Sequence, residues 1–244
     1  MNNLTEAIAW LVDPANWGGA DGIGARLWFH LWFSLAVVAG ASVIGLPIGA
    51  FVGHTGRGRE AAVSVSGALR ALPTLGVLTL FGLALGVVLI APYLALVILA
   101  IPSVLAGAYA GIGGVDRRTV DAARGMGMTE FQIVLRVETP LALPTIIGGI
   151  RAAVLQVVAT ATLAAYVGGG GLGTYILLGQ ATRDYPLMLA ASILVVALAL
   201  ALEGLFALAQ RLVVPEGVRL GRTTGSARVR SRSTQQARPR TAVG

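Results

Sequence analysis

Few residues in this chain could carry out covalent chemistry. His30 and His54 are its only histidines, and neither sits in an H-x-x-x-H spacing or beside a candidate nucleophile. There is no cysteine, so disulfides and thiolate metal sites are excluded. No G-x-x-x-x-G-K-[ST] loop is present, which excludes that mode of ATP binding. Gly168, Gly170 and Gly173 formally satisfy G-x-G-x-x-G. That run follows an apolar helix rather than a strand, with no acid about twenty residues on, so a flexible turn is expected instead of a dinucleotide site. The segment that stands out is 121–140, DAARGMGMTEFQIVLRVETP, a polar, helix-prone island between long apolar stretches. The chemistry it offers is non-covalent docking.

The elements that hold this island are membrane helices. The chain is 56% hydrophobic and 12% charged, with 33 glycines, against roughly 25% charged for a soluble domain. A helix crossing a bilayer needs about 20 mainly apolar residues. Spans are expected near 27–53, 60–81, 83–111, 144–167 and 187–212. The fold class is therefore all-α, a polytopic membrane bundle of about five transmembrane helices, six being the alternative. Residues 1–26 form an external interfacial segment, 27–212 the transmembrane domain with its loop at 112–140, and 213–244 a disordered basic tail. Trp10, Trp17, Trp28 and Trp32 suit interfacial positions, and the first residues lack the features of a secretory signal. His30 reads as interfacial and His54, in GHTGRGRE, as a loop residue.

Charge sets the orientation. The net charge is +7 and all 18 basic residues are arginine, seven of them beyond Pro215. A tail of that composition suits anionic lipid and lacks the interleaved aromatics of a nucleic-acid binder. Arg57 and Arg59 follow the first span, and Arg117, Arg118, Arg124 and Arg136 follow the third. The positive-inside rule then places the N-terminus outside and the C-terminus and the 112–140 loop in the cytoplasm.

Within that loop, two short helices joined at Gly127 are expected, because glycine permits a sharp turn. Asp121 suits a helix start, and Ala122 and Ala123 would let a partner approach the backbone. Met126, Met128, Phe131, Ile133 and Val134 would offer apolar knobs. Pro140 is expected to end the element and Pro144 to open the next helix. An amphipathic helix lying on the membrane is the competing reading of the same pattern.

The spacing Asp121-Ala122-Ala123, then Gly127, then Val137 and Pro140 resembles the coupling loop of permeases driven by ATP-binding cassette subunits. Asp121 replaces the usual Glu, Val137 the usual Ile and Thr139 the usual Leu. LRALPTLGVLTL (69–80) and RAAVLQVVATATLAAYVGGGGLG (151–173) look like the permeases that import glycine betaine, carnitine and choline. The resemblance implies the methionine-importer-like fold and a translocation subunit that is not itself an enzyme. It implies three kinds of partner: separate ATPase subunits, a second permease and an external substrate-binding protein. A prokaryotic inner membrane is the implied location, and no cofactor is implied. ATPase coupling would rest on Asp121, Ala122, Ala123, Gly127, Met128, Phe131, Val137 and Pro140. A methionine-like amino-acid cargo is the alternative within the family. A stand-alone secondary transporter is the rival outside it, disfavoured by the absence of an internal repeat or acidic relay.

Polar residues inside the fourth span are the candidate translocation path: Gln156 and Thr160, four apart on one face, and Tyr166. Hydroxyl bonding back to the helix is the alternative for the threonine. Arg151 is expected to reach the interface or pair with Glu138. Ala41, Gly45, Gly49 and Gly53, and Gly107 with Gly111, form small-residue ladders for close packing, within the bundle or across a dimer. Pro47, Pro73, Pro92 and Pro102 are candidate kinks. Phe81, Tyr93, Tyr109 and Tyr166 are scattered, so an aromatic cage for a quaternary ammonium group is expected on the separate binding protein.

Overall fold

In the computed structural model, residues 2–86 and 88–213 are described. The tail beyond Val213 lies outside them, so the reading of it as a disordered cytoplasmic end stays an expectation. Among the described residues every regular element is helical. They are α1 (Asn3–Val12), α2 (Ile23–Thr55), α3 (Arg59–Ala71), α4 (Thr74–Leu85) and α5 (Ile90–Gly113). After these come α6 (Arg117–Gly125), α7 (Glu130–Ile133), α8 (Thr139–Thr160), α9 (Gly173–Thr182) and α10 (Tyr185–Val213). The compact unit ends at Phe206; residues 207–213 complete α10.

Four helical stretches are long and apolar enough to cross a bilayer: Ile23–Thr55, Ile90–Gly113, Glu130–Val167 and Tyr185–Gln210. A fifth crossing exists only if α3 and α4, bent by 85° at their junction, count as one broken span. The continuous span expected at 60–81 is thus corrected. Pro73 forces its predecessor Leu72 into extended backbone (ψ 133°), and the helix stops there. Pro92 lies in the first turn of α5, where a missing N–H costs no hydrogen bond. Pro47 and Pro102 sit inside α2 and α5.

The centre of the bundle is α5 between α2 and α8. The glycine ladder of α2 faces α5, within the chain. A Cβ on Gly49 would stand 2.7 Å from the Leu105 carbonyl oxygen, and one on Gly53 2.9 Å from that of Tyr109. On the opposite side of α5, Gly107 meets Gly149 of α8, where a Cβ would approach the facing Cα to 2.6 Å. Only hydrogen fits there, so the two backbones touch. The buried core around these contacts includes Phe33, Val37, Leu96, Val104, Val154 and Val157.

His30 is inside this core, not at the interface. Its Nε2 lies 2.9 Å from the Val158 carbonyl oxygen. Its Nδ1 accepts from the Leu172 N–H at 3.3 Å. The glycine turn after α8 is therefore pinned to α2, and the residues after it form α9 where a plain loop was expected.

Candidate functional site

Between α5 and α8 the chain makes a compact side-chain network. Asp116 caps α6 by accepting from the Arg118 N–H at 3.0 Å, so Asp121 sits within the helix and not at its start. Val120, Ala123 and Ile133 form a small buried core, with Met128 and Val137 packed on it. Gly127 turns the chain at φ +83°, a backbone conformation that costs L side chains strain. Thr129 and Gln132 close a reciprocal cap at the start of α7.

α7 does not end at a short helix. It passes through a π-helical turn, Val134–Glu138, directly into α8, and both Pro140 and Pro144 lie within the continuous helix. Pro140 lacks an N–H and its ring would press on the Arg136 carbonyl four residues back. In the wider turn, the Thr139 N–H reaches back five residues to the Val134 oxygen. The helix continues where sequence reasoning ended it.

Three acids and three bases organise this region. Arg124 grips Glu130 with two bonds, Nε to Oε1 at 2.7 Å and Nη2 to Oε2 at 2.9 Å. It also donates to Asp121 at 2.8 Å. The Glu130 carboxylate, by hydrogen bond and charge, holds the Arg124 guanidinium above its ordinary value. His54, in the last turn of α2, stands 2.7 Å from Glu138 and 3.0 Å from Glu130. Arg117 donates to the His54 carbonyl oxygen at 3.2 Å. His54 is thus a joint residue and not a free loop side chain. Glu138 pairs with it, not with Arg151, which bonds Glu203 of α10 through Nε at 2.6 Å.

Of the eight residues predicted for docking, Asp121, Ala122, Gly127, Phe131 and Pro140 are exposed. Ala123 is buried, and Met128 and Val137 pack inward, so these three shape the loop instead of presenting a face. Of the large apolar side chains that project, Met126 (76% exposed) and Phe131 (72%) do so most, ahead of Leu135 (52%). An exposed apolar pair on a charged, rigid loop is what a protein partner can grip.

The three predicted path residues do not come together. Gln156 crosses to α5, donating to the Leu99 carbonyl oxygen at 3.0 Å and accepting from Ser103 Oγ at 2.8 Å. It lines a cavity of about 380 Å³ beside the α3–α4 break. The Thr160 hydroxyl bonds back to the Gln156 carbonyl oxygen at 2.9 Å within its own helix. Tyr166 lies beyond α8, its hydroxyl on the Gln180 side chain.

The sequence matches the model of the family described as binding-protein-dependent transport system inner membrane component over residues 45–215. The chain belongs to this family. It is an inner-membrane permease, and the matched stretch holds α3 to α10 with the network above. It is 32% identical over 189 residues to the glycine betaine/carnitine/choline transport system permease protein OpuCB of Bacillus subtilis (strain 168), covering 78% of this chain and 87% of that one. It is 33% identical over 200 residues to the carnitine transport permease protein OpuCB of Listeria monocytogenes, covering 82% and 92%. The fold resembles a chain in the inward-facing conformations of the MetNI methionine ABC transporter, with a TM-score of 0.70 and 21% identity over 79% of this chain and 96% of that one.

The sequence offered local ion pairing among the loop's four arginines and four acids, which the Arg124 pairs with Asp121 and Glu130 bear out; what sequence reasoning missed is His54 as the partner of Glu130 and Glu138. Two signals were available. T-x-x-Q at 129–132 marks a helix start, and Glu138 is an acid at the mouth of an apolar span. Nothing local marks His54, whose partners lie 76 and 84 residues away.

Proposed function

We propose that this permease is the translocation subunit of an ATP-driven importer of glycine betaine/choline-type osmoprotectants. Identity of 32% across most of the chain to a permease named for glycine betaine, carnitine and choline is the observation that carries the cargo assignment. The exposed Met126–Phe131 face supports docking of a separate ATP-binding cassette subunit on the cytoplasmic loop, by Asp121, Ala122, Gly127 and Phe131. ATP hydrolysis belongs to that subunit. A second permease completes the path, and an external binding protein delivers cargo.

In this reading ATP binding moves the docked subunits, which push α6 and α7. The π-helical turn carries that push into α8, and His54 carries it into α2. The bistable element is the permease pair, and the loop transmits the bias. Gln156 lies on the path, while Ala123, Met128, Val137 and Pro140 keep the loop rigid.

The test is reconstitution of the permease with its ATPase and binding protein, followed by uptake of labelled glycine betaine, choline and methionine. ATP-dependent accumulation of the first two supports the reading. Accumulation of methionine alone, or transport by permease without any ATPase, would defeat it.

A further inference from the structure

α8 belongs to one helical stretch that runs from Glu130 of the loop to Val167, and that stretch ends in a change of winding. Its last α-type bond runs from the Ala161 N–H to the Val157 carbonyl oxygen. From there Ala161–Val167 wind as a 3₁₀ helix of seven residues, where runs beyond three or four are uncommon. Three residues per turn bring every third side chain to one side, and Ala161, Ala164 and Val167 are the buried ones. Packing, with Val167 against Gly82 of α4, holds the tighter winding in place.

The same junction strands a carbonyl. In a continued α-helix the Val158 oxygen would accept from Thr162, which here belongs to the 3₁₀ run. His30 of α2 takes the place of that donor, with Nε2 at 2.9 Å. Its Nδ1 accepts the Leu172 N–H at 3.3 Å, beyond the glycine turn, which leaves the ring proton on Nε2. One ring therefore holds the chain both before and after the 3₁₀ run. It lies directly under the turn: a Cβ on Gly171 (φ +73°) would come to 2.9 Å from Nδ1.

α8 is clamped midway, where Gly149 meets Gly107 of α5 backbone to backbone. The 3₁₀ run is where its far end can change length. Rewinding the seven residues to α would shorten the run by about 3.5 Å, at about 0.5 Å per residue. That is more than a hydrogen bond can stretch, so the turn would have to leave His30.

Resting on the importer reading above, we propose that His30 is a positioning residue for transport. It latches the glycine turn 168–171 to α2 in this state, and it releases the turn when motion at the loop end is delivered along α8. The turn is then the moving gate at the end of the path opposite the loop, and His30 sets the state in which it rests.

The chain has no cysteine, so introduced thiols report alone. A Cβ on Gly171 would stand 3.4 Å from the His30 Cβ, close to the disulfide spacing of about 3.5–4.5 Å. His30→Cys with Gly171→Cys, in the full complex in proteoliposomes, is assayed for ATP-dependent uptake of labelled glycine betaine and choline, first oxidised and then reduced. The oxidised form is expected to be at least about tenfold slower, because a gate that cannot open limits turnover. Uptake should recover on reduction, with no oxidant effect on either single variant. A formed bridge that leaves uptake unchanged, or a bridge that does not form, overturns the proposal while the importer reading survives.

A second reporter keeps His30 in place. Leu172 is fully buried, and Leu172→Cys should react with a maleimide at least about tenfold faster when a non-hydrolysable ATP analogue is bound to the ATPase, the scale of lost hydrogen bonds. Adding His30→Leu should give the fast rate without nucleotide. Adding His30→Gln, which offers one donor and one acceptor, should keep the slow one. Equal rates in all these states overturn the proposal. A wild-type complex that transports neither cargo overturns the importer reading, and this role for His30 with it.

Discussion

His54 Nδ1 stands 2.7 Å from Glu138 Oε2, joining positions 84 residues apart. One residue closes the C-terminal end of α2 and the other the π-helical turn that leads into α8. The second ring nitrogen faces Glu130 at 3.0 Å, and Glu130 is held by Arg124 of α6. Each ring nitrogen thus has its own carboxylate partner. A displacement of α6 or α7 therefore reaches α2 and α8 through the same side chain. Both helices pack directly on α5, so the loop is geared to the centre of the bundle.

Removing the buried partner should expose that gearing. Glu138 is fully buried in the turn, and losing the partner of a buried hydrogen-bonding group costs about 1–3 kcal/mol. Glu138→Ala is expected to lower the unfolding temperature of the purified permease. Glu138→Gln keeps the shape and one hydrogen bond, so it should fold better while coupling poorly. The measurement is cargo moved per ATP hydrolysed, and a ratio equal to wild type in both variants would count against a transmitting role.

Gly127 separates two kinds of cost. A Cβ there would meet nothing within 4 Å, so added bulk is not resisted inside the chain. The positive φ is resisted, at about 1–3 kcal/mol for an L residue. Gly127→Ala should therefore keep most uptake with a small loss of stability. Gly127→Trp places a large ring where the ATPase would sit, and coupled uptake should vanish while membrane insertion persists. Fractionation for insertion and flux for uptake give the two readings, and unchanged uptake in the tryptophan variant would refute docking at this face.

Much of this architecture was legible in the sequence because a membrane writes its demands locally. About twenty apolar residues, arginine-rich loops and a glycine every fourth position each reveal an element without reference to any other. What could not be read depends on meetings across the chain. His54 looks like a loop residue until Glu130 and Glu138 arrive beside it. Arg151 could have chosen either Glu138 or Glu203, and only the packing of α8 on α10 decides. Pro73 and Pro140 look alike as breakers. One stops a helix because its predecessor turns extended; the other is carried because a wider turn relieves its ring. For the predicted path, helical spacing put Gln156 and Thr160 on one face, yet only the glutamine side chain leaves its own helix.

The α5–α8 seam should tolerate no side chain. Gly107→Ala would bring a Cβ to 2.6 Å from the Gly149 Cα, a backbone contact that no rotamer can relieve. Overpacking of this kind costs about 1–3 kcal/mol. Gly67, on the exposed face of α3, meets nothing within 4 Å, and Gly67→Ala should stabilise the helix by about 0.5–1 kcal/mol. Thermal unfolding in detergent orders the variants as Gly67→Ala above wild type above Gly107→Ala. Equal stabilities for the two alanine variants would mean that α5 and α8 are not in backbone contact.

Met126 and Phe131 permit a sharper separation of folding from docking. Both are more than two-thirds exposed, so truncating either leaves the small core of Val120, Ala123 and Ile133 intact. Exposed substitutions of that kind usually change stability by no more than about 0.5 kcal/mol. At an interface the same truncation of an anchoring side chain can cost about 2 kcal/mol or more, roughly thirtyfold in affinity. Met126→Ala with Phe131→Ala should thus leave the unfolding temperature of the isolated permease unchanged and strip the ATPase during copurification. If the doubly truncated permease holds its ATPase as tightly as wild type, the grip lies elsewhere on the loop, and the exposed apolar pair has another purpose.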